Sequence, residues 1–199
     1  MATKKNPSAL SLERLRRRIA AVDEDVIAAL LRRSLFGKPA PHRAGPATPW
    51  PAGLTNIELL ARARHDYERL ALPALCAETE EDSEVADAED RAVIAAVTNR
   101  LRLVAMIAAT KGCSRTAAFR NLRAARDAAG LEAAITDPAI EAQVVARAAA
   151  RAAALRPAGT PTDLPARVAA VYRDWIIPLA RHLQVEILLA TPARRRRPV

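Results

Sequence analysis

The chain has 199 residues, 51% of them hydrophobic, with only 3% aromatic residues and 6 glycines. That hydrophobic share excludes a disordered protein, and the scarcity of glycine disfavours hairpin-rich β folds, whose tight turns need it. The net charge of +9, from 31 basic and 22 acidic residues, suits an anionic partner, either a nucleic acid or a small dianion.

Ala and Leu, both abundant here, are strong helix formers. The expected fold is all-α, one domain over residues 1–199, a bundle of about six helices with its site between them. Two cysteines, Cys76 and Cys113, are too few for a disulfide or zinc framework and read as reduced thiols of a cytoplasmic protein. No uninterrupted apolar run reaches the ~18 residues of a membrane span, and no signal-peptide core follows the basic start. A membrane partner is therefore not expected.

Residues 9–36 read as an amphipathic helix, because Leu12, Leu15, Ile19, Val22, Val26, Leu30 and Arg33 recur at three- and four-residue steps. Residues 37–55 form a loop broken by Pro39, Pro41, Pro46, Pro49 and Pro51. Thr55 or Asn56 caps a helix that ends near Pro73 and Leu75. An acidic cluster over 77–90 precedes a third helix running to about Lys111. Ser114 caps a fourth helix that ends near Gly130, and Asp137 followed by Pro138 opens a fifth. Pro157 and Pro161 break the chain before a last helix, from Thr162 or Asp163 to about Leu189, kinked at Pro178. Residues 191–199 read as a solvated basic tail.

The stretch Asp23 to Arg33 resembles Asp90 to Arg100. Two Ala-rich helices can match this way by composition alone, and duplication of a helical hairpin gives the same pattern.

Polar residues on apolar stripes supply the candidate site. Arg100, Val104, Ile107 and Lys111 share one face of the third helix. Eleven residues at about 100° each return Lys111 to within roughly 20° of Arg100, about 16 Å along the axis. Cations on a core-facing stripe are costly unless an anion pairs with them, or unless their stems carry the charge to the bundle's end. Arg16 lies beside the Leu12/Leu15/Ile19 stripe, in a run that also reads as a solvated face. Asp137 and Glu141 open the fifth helix, where acids complement the dipole. Gln184 sits among Leu179, Leu183 and Leu188, where an amide needs partners. Three cations, two carboxyls and an amide on four helices can line one pocket. Nothing resembles a nucleophile–base arrangement, since His42, His65 and His182 read as exposed or structural. Metal-ligand spacing and a Gly-rich phosphate loop do not occur, so neither metal nor cofactor is expected.

Four stretches carry a resemblance. They are Leu15 to Phe36; Tyr67 to Cys76 with its Leu-Pro-x-Leu step; Asn99–Arg100 through Lys111, followed by Ile135 to Glu141; and Val171 to Leu189 with Pro178. Together, in this order and spacing over residues 15–189, they resemble the eukaryotic-type all-helical chorismate mutases. The resemblance implies a cofactor-independent enzyme that rearranges chorismate to prephenate in aromatic amino-acid biosynthesis. It implies that Arg16 and Arg100 bind the two carboxylates, and that Asp137 contributes to substrate binding. Lys111 and Gln184 would donate to the ether oxygen, and Glu141 would accept from the ring hydroxyl. Ala180 replaces a hydroxyl residue of the family.

The resemblance also implies a homodimer, although the short 37–55 stretch replaces a longer regulatory segment that contributes to the family's dimer. Glu84-Val85 stands where regulated members have a Gly-Ser pair, so feedback at the usual site is not expected. Related pericyclic enzymes, an isochorismate pyruvate lyase or an aminochorismate mutase, fit the same pocket. A different class is a nucleic-acid-binding helical protein, with Thr110 to Arg126 as a turn and basic recognition helix. That reading makes no special use of Glu141 and Gln184, and the enzyme reading expects no nucleic-acid partner.

Overall fold

The computed structural model describes residues 12–38, 57–80, 84–112 and 117–190. Most of the Pro-rich loop, His42, Cys113, Ser114 and the basic tail lie outside the described residues. Among those described, the chain forms seven helices. They are α1 (Leu12–Arg33), α2 (57–75), α3 (Glu84–Gly112), α4 (Ala117–Ala124), α5 (Ala128–Ile135), α6 (Pro138–Leu155) and α7 (164–190).

The expected fourth helix is two. Arg126, at φ 53°, turns into the left-handed region that ends a helix, and its neighbour Asp127 donates its N–H back to Leu122 O at 2.9 Å. Asp127 then restarts the chain as an N-cap, its carboxylate accepting from Gly130 N at 2.8 Å. Gly130 thus lies in the first turn of α5 instead of ending a helix. The fold is all-α as expected, and a short parallel pairing of Gly37–Lys38 with Ala77–Glu80 joins two of its connections. It ties the exit of α1 to the exit of α2.

The long α3 is the central helix. By length and composition Glu84–Lys111 is apolar enough to cross a membrane, although Arg100 and Arg102 interrupt its apolar run. Its apolar residues are used within the bundle instead. Val93, Val97, Leu101 and Val104 are buried, and α3 packs against both α1 and α7. From α1, Leu15, Val26, Ile27 and Leu30 enter the core as the three- and four-residue steps predict. Trp175 and Tyr67 close it from α7 and α2, with ring centroids 5.2 Å apart at 44° and the indole N–H on Ala63 O at 3.2 Å.

Helices α2 and α7 solve the same problem in the same way. Each carries an internal proline, Pro73 or Pro178, which lacks the N–H a helix interior needs. In each, one wide π-turn precedes the proline, Tyr67–Ala71 in α2 and Tyr172–Ile176 in α7. Leu72 donates to Tyr67 O, and Ile177 donates to Tyr172 O. The helix therefore continues past Pro178 by widening a turn instead of breaking.

The internal similarity becomes a reciprocal arrangement. Helices α1 and α3 run antiparallel, so Asp23 of α1 meets Arg100 of α3, while Asp90 of α3 meets Arg33 of α1. Tyr172 donates to Asp23, and Tyr67 donates to Asp90. Each tyrosine is the first residue of its helix's π-turn. The two networks exchange partners helix for helix, as duplication of a helical hairpin would leave them.

Candidate active site

A pocket of about 320 Å³ opens between α1, α3, α6 and α7. All six residues singled out in the sequence line it: Arg16, Arg100, Lys111, Asp137, Glu141 and Gln184. Ile19, Val104, Ile107 and Ile177 form its apolar wall, so a ligand would lie against hydrocarbon with charges around it.

Arg100 is the most constrained of these residues. It is buried, and its Nε donates to Asp23 Oδ1 at 2.8 Å. Tyr172 donates to the same oxygen at 3.1 Å, and the guanidinium carbon stands 5.9 Å above the Tyr172 ring centre. On the carboxylate's other oxygen, Arg147 Nη2 donates at 3.3 Å. Asp23 thus fixes Arg100 in the pocket wall, with its Nη1 atom buried and making no protein hydrogen bond. Burial, reinforced by the Asp23 charge, pushes the Tyr172 hydroxyl well above its ordinary pKa, which keeps it a donor.

The mirror-related Arg33 lies away from the pocket, although its Nη2 is likewise buried without a hydrogen-bond partner. It is fully buried, and its guanidinium, paired with Asp90, also donates to Gly37 O at 2.9 Å and Phe36 O at 3.4 Å. The chain leaving α1 supplies those carbonyls. Burial works against the Arg33 charge, and the hydrogen bond and charge of Asp90 outweigh it, leaving the pKa above its ordinary value.

Lys111 lies at the end of α3, where the angular estimate places it on the Arg100 stripe. Its Nζ donates to Gln184 Oε1 at 3.2 Å and reaches Ile135 O at 3.5 Å. Burial, with the nearby Arg16 charge, lowers its pKa below the ordinary lysine value. Gln184 Nε2 donates to Ala180 O at 3.3 Å, one turn back. The amide thus accepts from Lys111 and keeps one N–H for the pocket. Arg16 is exposed at the pocket's edge.

Asp137 has a second duty. Its Oδ1 caps α6, accepting from Ala139 N at 3.1 Å and Ile140 N at 3.2 Å, so a contact with a ligand would share a carboxylate already held by the backbone. Glu141, one turn on, is held by Arg181, whose Nε lies 3.6 Å from Glu141 Oε1. His65 is exposed and His182 half-buried, and neither lines the pocket. Among the described residues no group of three His, Cys, Asp or Glu side chains is placed to hold a metal ion.

Sequence reasoning did not find Asp23, Tyr172, Arg147 or Arg181. A signal existed for Asp23, which follows Ile19 by four residues and precedes Ile27 by four on the buried stripe of α1. An acid there is as costly as Arg100 on α3, and the two answer each other. Arg147 and Arg181 carry no such mark, because arginines on Ala-rich helices are ordinary surface residues.

A family model described as chorismate mutase type II matches residues 84–185, just over half of the chain. The chain belongs to the type II chorismate mutase family. The matched region holds five of the six predicted pocket residues, all but Arg16 of α1. Solved chorismate mutases share the fold. The Aro7p enzyme of Candida albicans, in complex with L-Trp, is 18% identical with a TM-score of 0.70, covering 90% of this chain and 91% of that one. The chloroplast enzyme of Zea mays is 18% identical with a TM-score of 0.71, covering 93% of this chain and 98% of that one. AtCM1 with tyrosine in its allosteric site is 18% identical with a TM-score of 0.72, over the same shares. No curated protein matches the sequence.

Proposed function

We propose that this pocket binds chorismate and rearranges it to prephenate. The observation that carries the proposal is one cavity lined by Arg16, Arg100 and Lys111 against an apolar wall, with Glu141 and Gln184 facing in. A flexible dianion needs two separated cations to hold it in its compact, reactive conformer. Arg16 and Arg100 are those cations. As the C–O bond breaks and the C–C bond forms within one molecule, negative charge grows on the ether oxygen. Lys111 and the remaining Gln184 N–H are the preorganised donors for it. Glu141 accepts from the ring hydroxyl, and Asp137 lines the adjacent wall. The rearrangement asks no proton, electron or group of the protein. A homodimer and a cytoplasmic location belong to the same reading.

The test is loss of chorismate with purified protein, following prephenate by its acid conversion to phenylpyruvate, with and without EDTA. Turnover that survives EDTA and disappears in a folded Arg100→Ala variant supports the proposal. A folded wild-type protein that leaves chorismate untouched refutes it. Sedimentation of the same preparation tests the dimer.

A further inference from the structure

Arg181, on α7 beside Ala180, is not among the residues the reaction requires, yet it stands in the pocket wall. Its side chain is strung between two carboxylates. Nε lies 3.6 Å from Glu141 Oε1, and Nη1 lies 3.7 Å from Glu132 Oε1 on α5. The guanidinium thus lies within ion-pair distance of both Glu132 and Glu141. The Nε atom is buried and makes no hydrogen bond, so it acts on Glu141 as a charge and not as a shared donor.

An acceptor's charge state decides which donors it prefers. A carboxylate alone in a half-closed pocket favours a cation, because an ammonium brings both a hydrogen bond and neutralisation. A carboxylate already matched by a guanidinium has no charge left to neutralise. An ammonium brought to Glu141 would also face Arg181 as a like charge, whereas a hydroxyl donates one hydrogen bond and adds no charge. The other pocket cations, Arg16, Arg100, Lys111 and Arg147, reinforce that bias, and Asp137 is engaged in capping α6.

We propose that Arg181 is a specificity-determining residue, which by pairing with Glu141 makes this pocket select a ring hydroxyl over a ring amine. The inference rests on the reading of Glu141 as the acceptor for the substrate's ring substituent. It excludes the aminochorismate branch of the family's chemistry for this chain.

The experiment separates the two. Turnover of chorismate by the wild type tests the reaction. Binding tests Arg181, by calorimetry with two analogues whose allylic ring double bond is saturated so that they cannot rearrange. One carries the ring hydroxyl and the other an amine, which is cationic at neutral pH. Wild type, R181Q, R181M and R181K are compared, each with its melting profile. The expected result is that R181Q and R181M shift relative affinity at least tenfold toward the amine, while R181K keeps the wild-type preference. A ratio unchanged within twofold in R181Q and R181M overturns the proposal, and it would mean that Arg181 holds a substrate carboxylate or only braces the helices. An equal shift in R181K overturns it too, since charge would then not be the cause.

Discussion

Lys111 of α3 and Gln184 of α7 lie 73 residues apart in the chain, and the lysine Nζ donates to the amide Oε1 across 3.2 Å. The bond orients the amide so that its N–H side serves Ala180 O and the pocket. A lysine and a glutamine acting as one donor pair are exposed to a single substitution.

Lys111→Ala is therefore expected to lower kcat/KM by at least the ~10²–10³-fold typical of losing one preorganised donor. Most of the fall should appear in kcat, because the lost interaction grows as charge develops. Steady-state kinetics on chorismate check it, and near-normal turnover would remove Lys111 from the mechanism.

The pH profile follows from the same pair. Gln184 has no proton to lose, so kcat should be flat from about pH 6 to 8. Lys111 donates only as the ammonium, and burial lowers its pKa. Activity should thus fall on the alkaline side, beginning below the ~10.4 of an ordinary lysine. Rates in buffers of constant ionic strength decide this. A steep loss between pH 6 and 8, or no alkaline limb at all, would contradict it.

The two arginine–aspartate networks should respond differently. Removing one partner of a buried ion pair leaves an uncompensated charge, at a cost of about 3–5 kcal/mol. Asp90→Ala should lose stability of that order in urea unfolding, with KM for chorismate unchanged at permissive temperature. Its partner Arg33 lines no part of the pocket. Asp23→Ala should lose both stability and affinity, since Asp23 holds Arg100 in place. Equal kinetic effects from both variants would show that the networks are not functionally distinct.

Gly130→Ala tests the break that divides α4 from α5. A Cβ at Gly130 would clash with Asp127 Oδ2 and stand 2.5 Å from a Leu122 methyl carbon, displacing the cap and its apolar neighbour together. The expected loss is about 1–3 kcal/mol, although Ala is ordinarily the better helix former. Thermal or urea unfolding measures it, and a stabilised variant would mean that Asp127 is not what starts α5.

Sequence alone determined the helical class and most helix limits, and it pointed to six residues that line the pocket, Arg100, Lys111 and Gln184 by the cost of burying them on apolar stripes and the whole set by a family resemblance. It also held the repeat, Asp23 to Arg33 against Asp90 to Arg100. Tertiary structure decided what the repeat means. The antiparallel packing of α1 on α3 crosses the partners, leaving Arg100 in the pocket wall and Arg33 away from it, beneath the carbonyls of Phe36 and Gly37. No local pattern distinguishes those two arginines, since their helices present them alike. The difference lies in which distant segment arrives beside each. The same holds for Arg181, whose meaning comes from Glu132 and Glu141 on two other helices. Burial costs are written residue by residue in a sequence, whereas electrostatic partners are set by long-range packing.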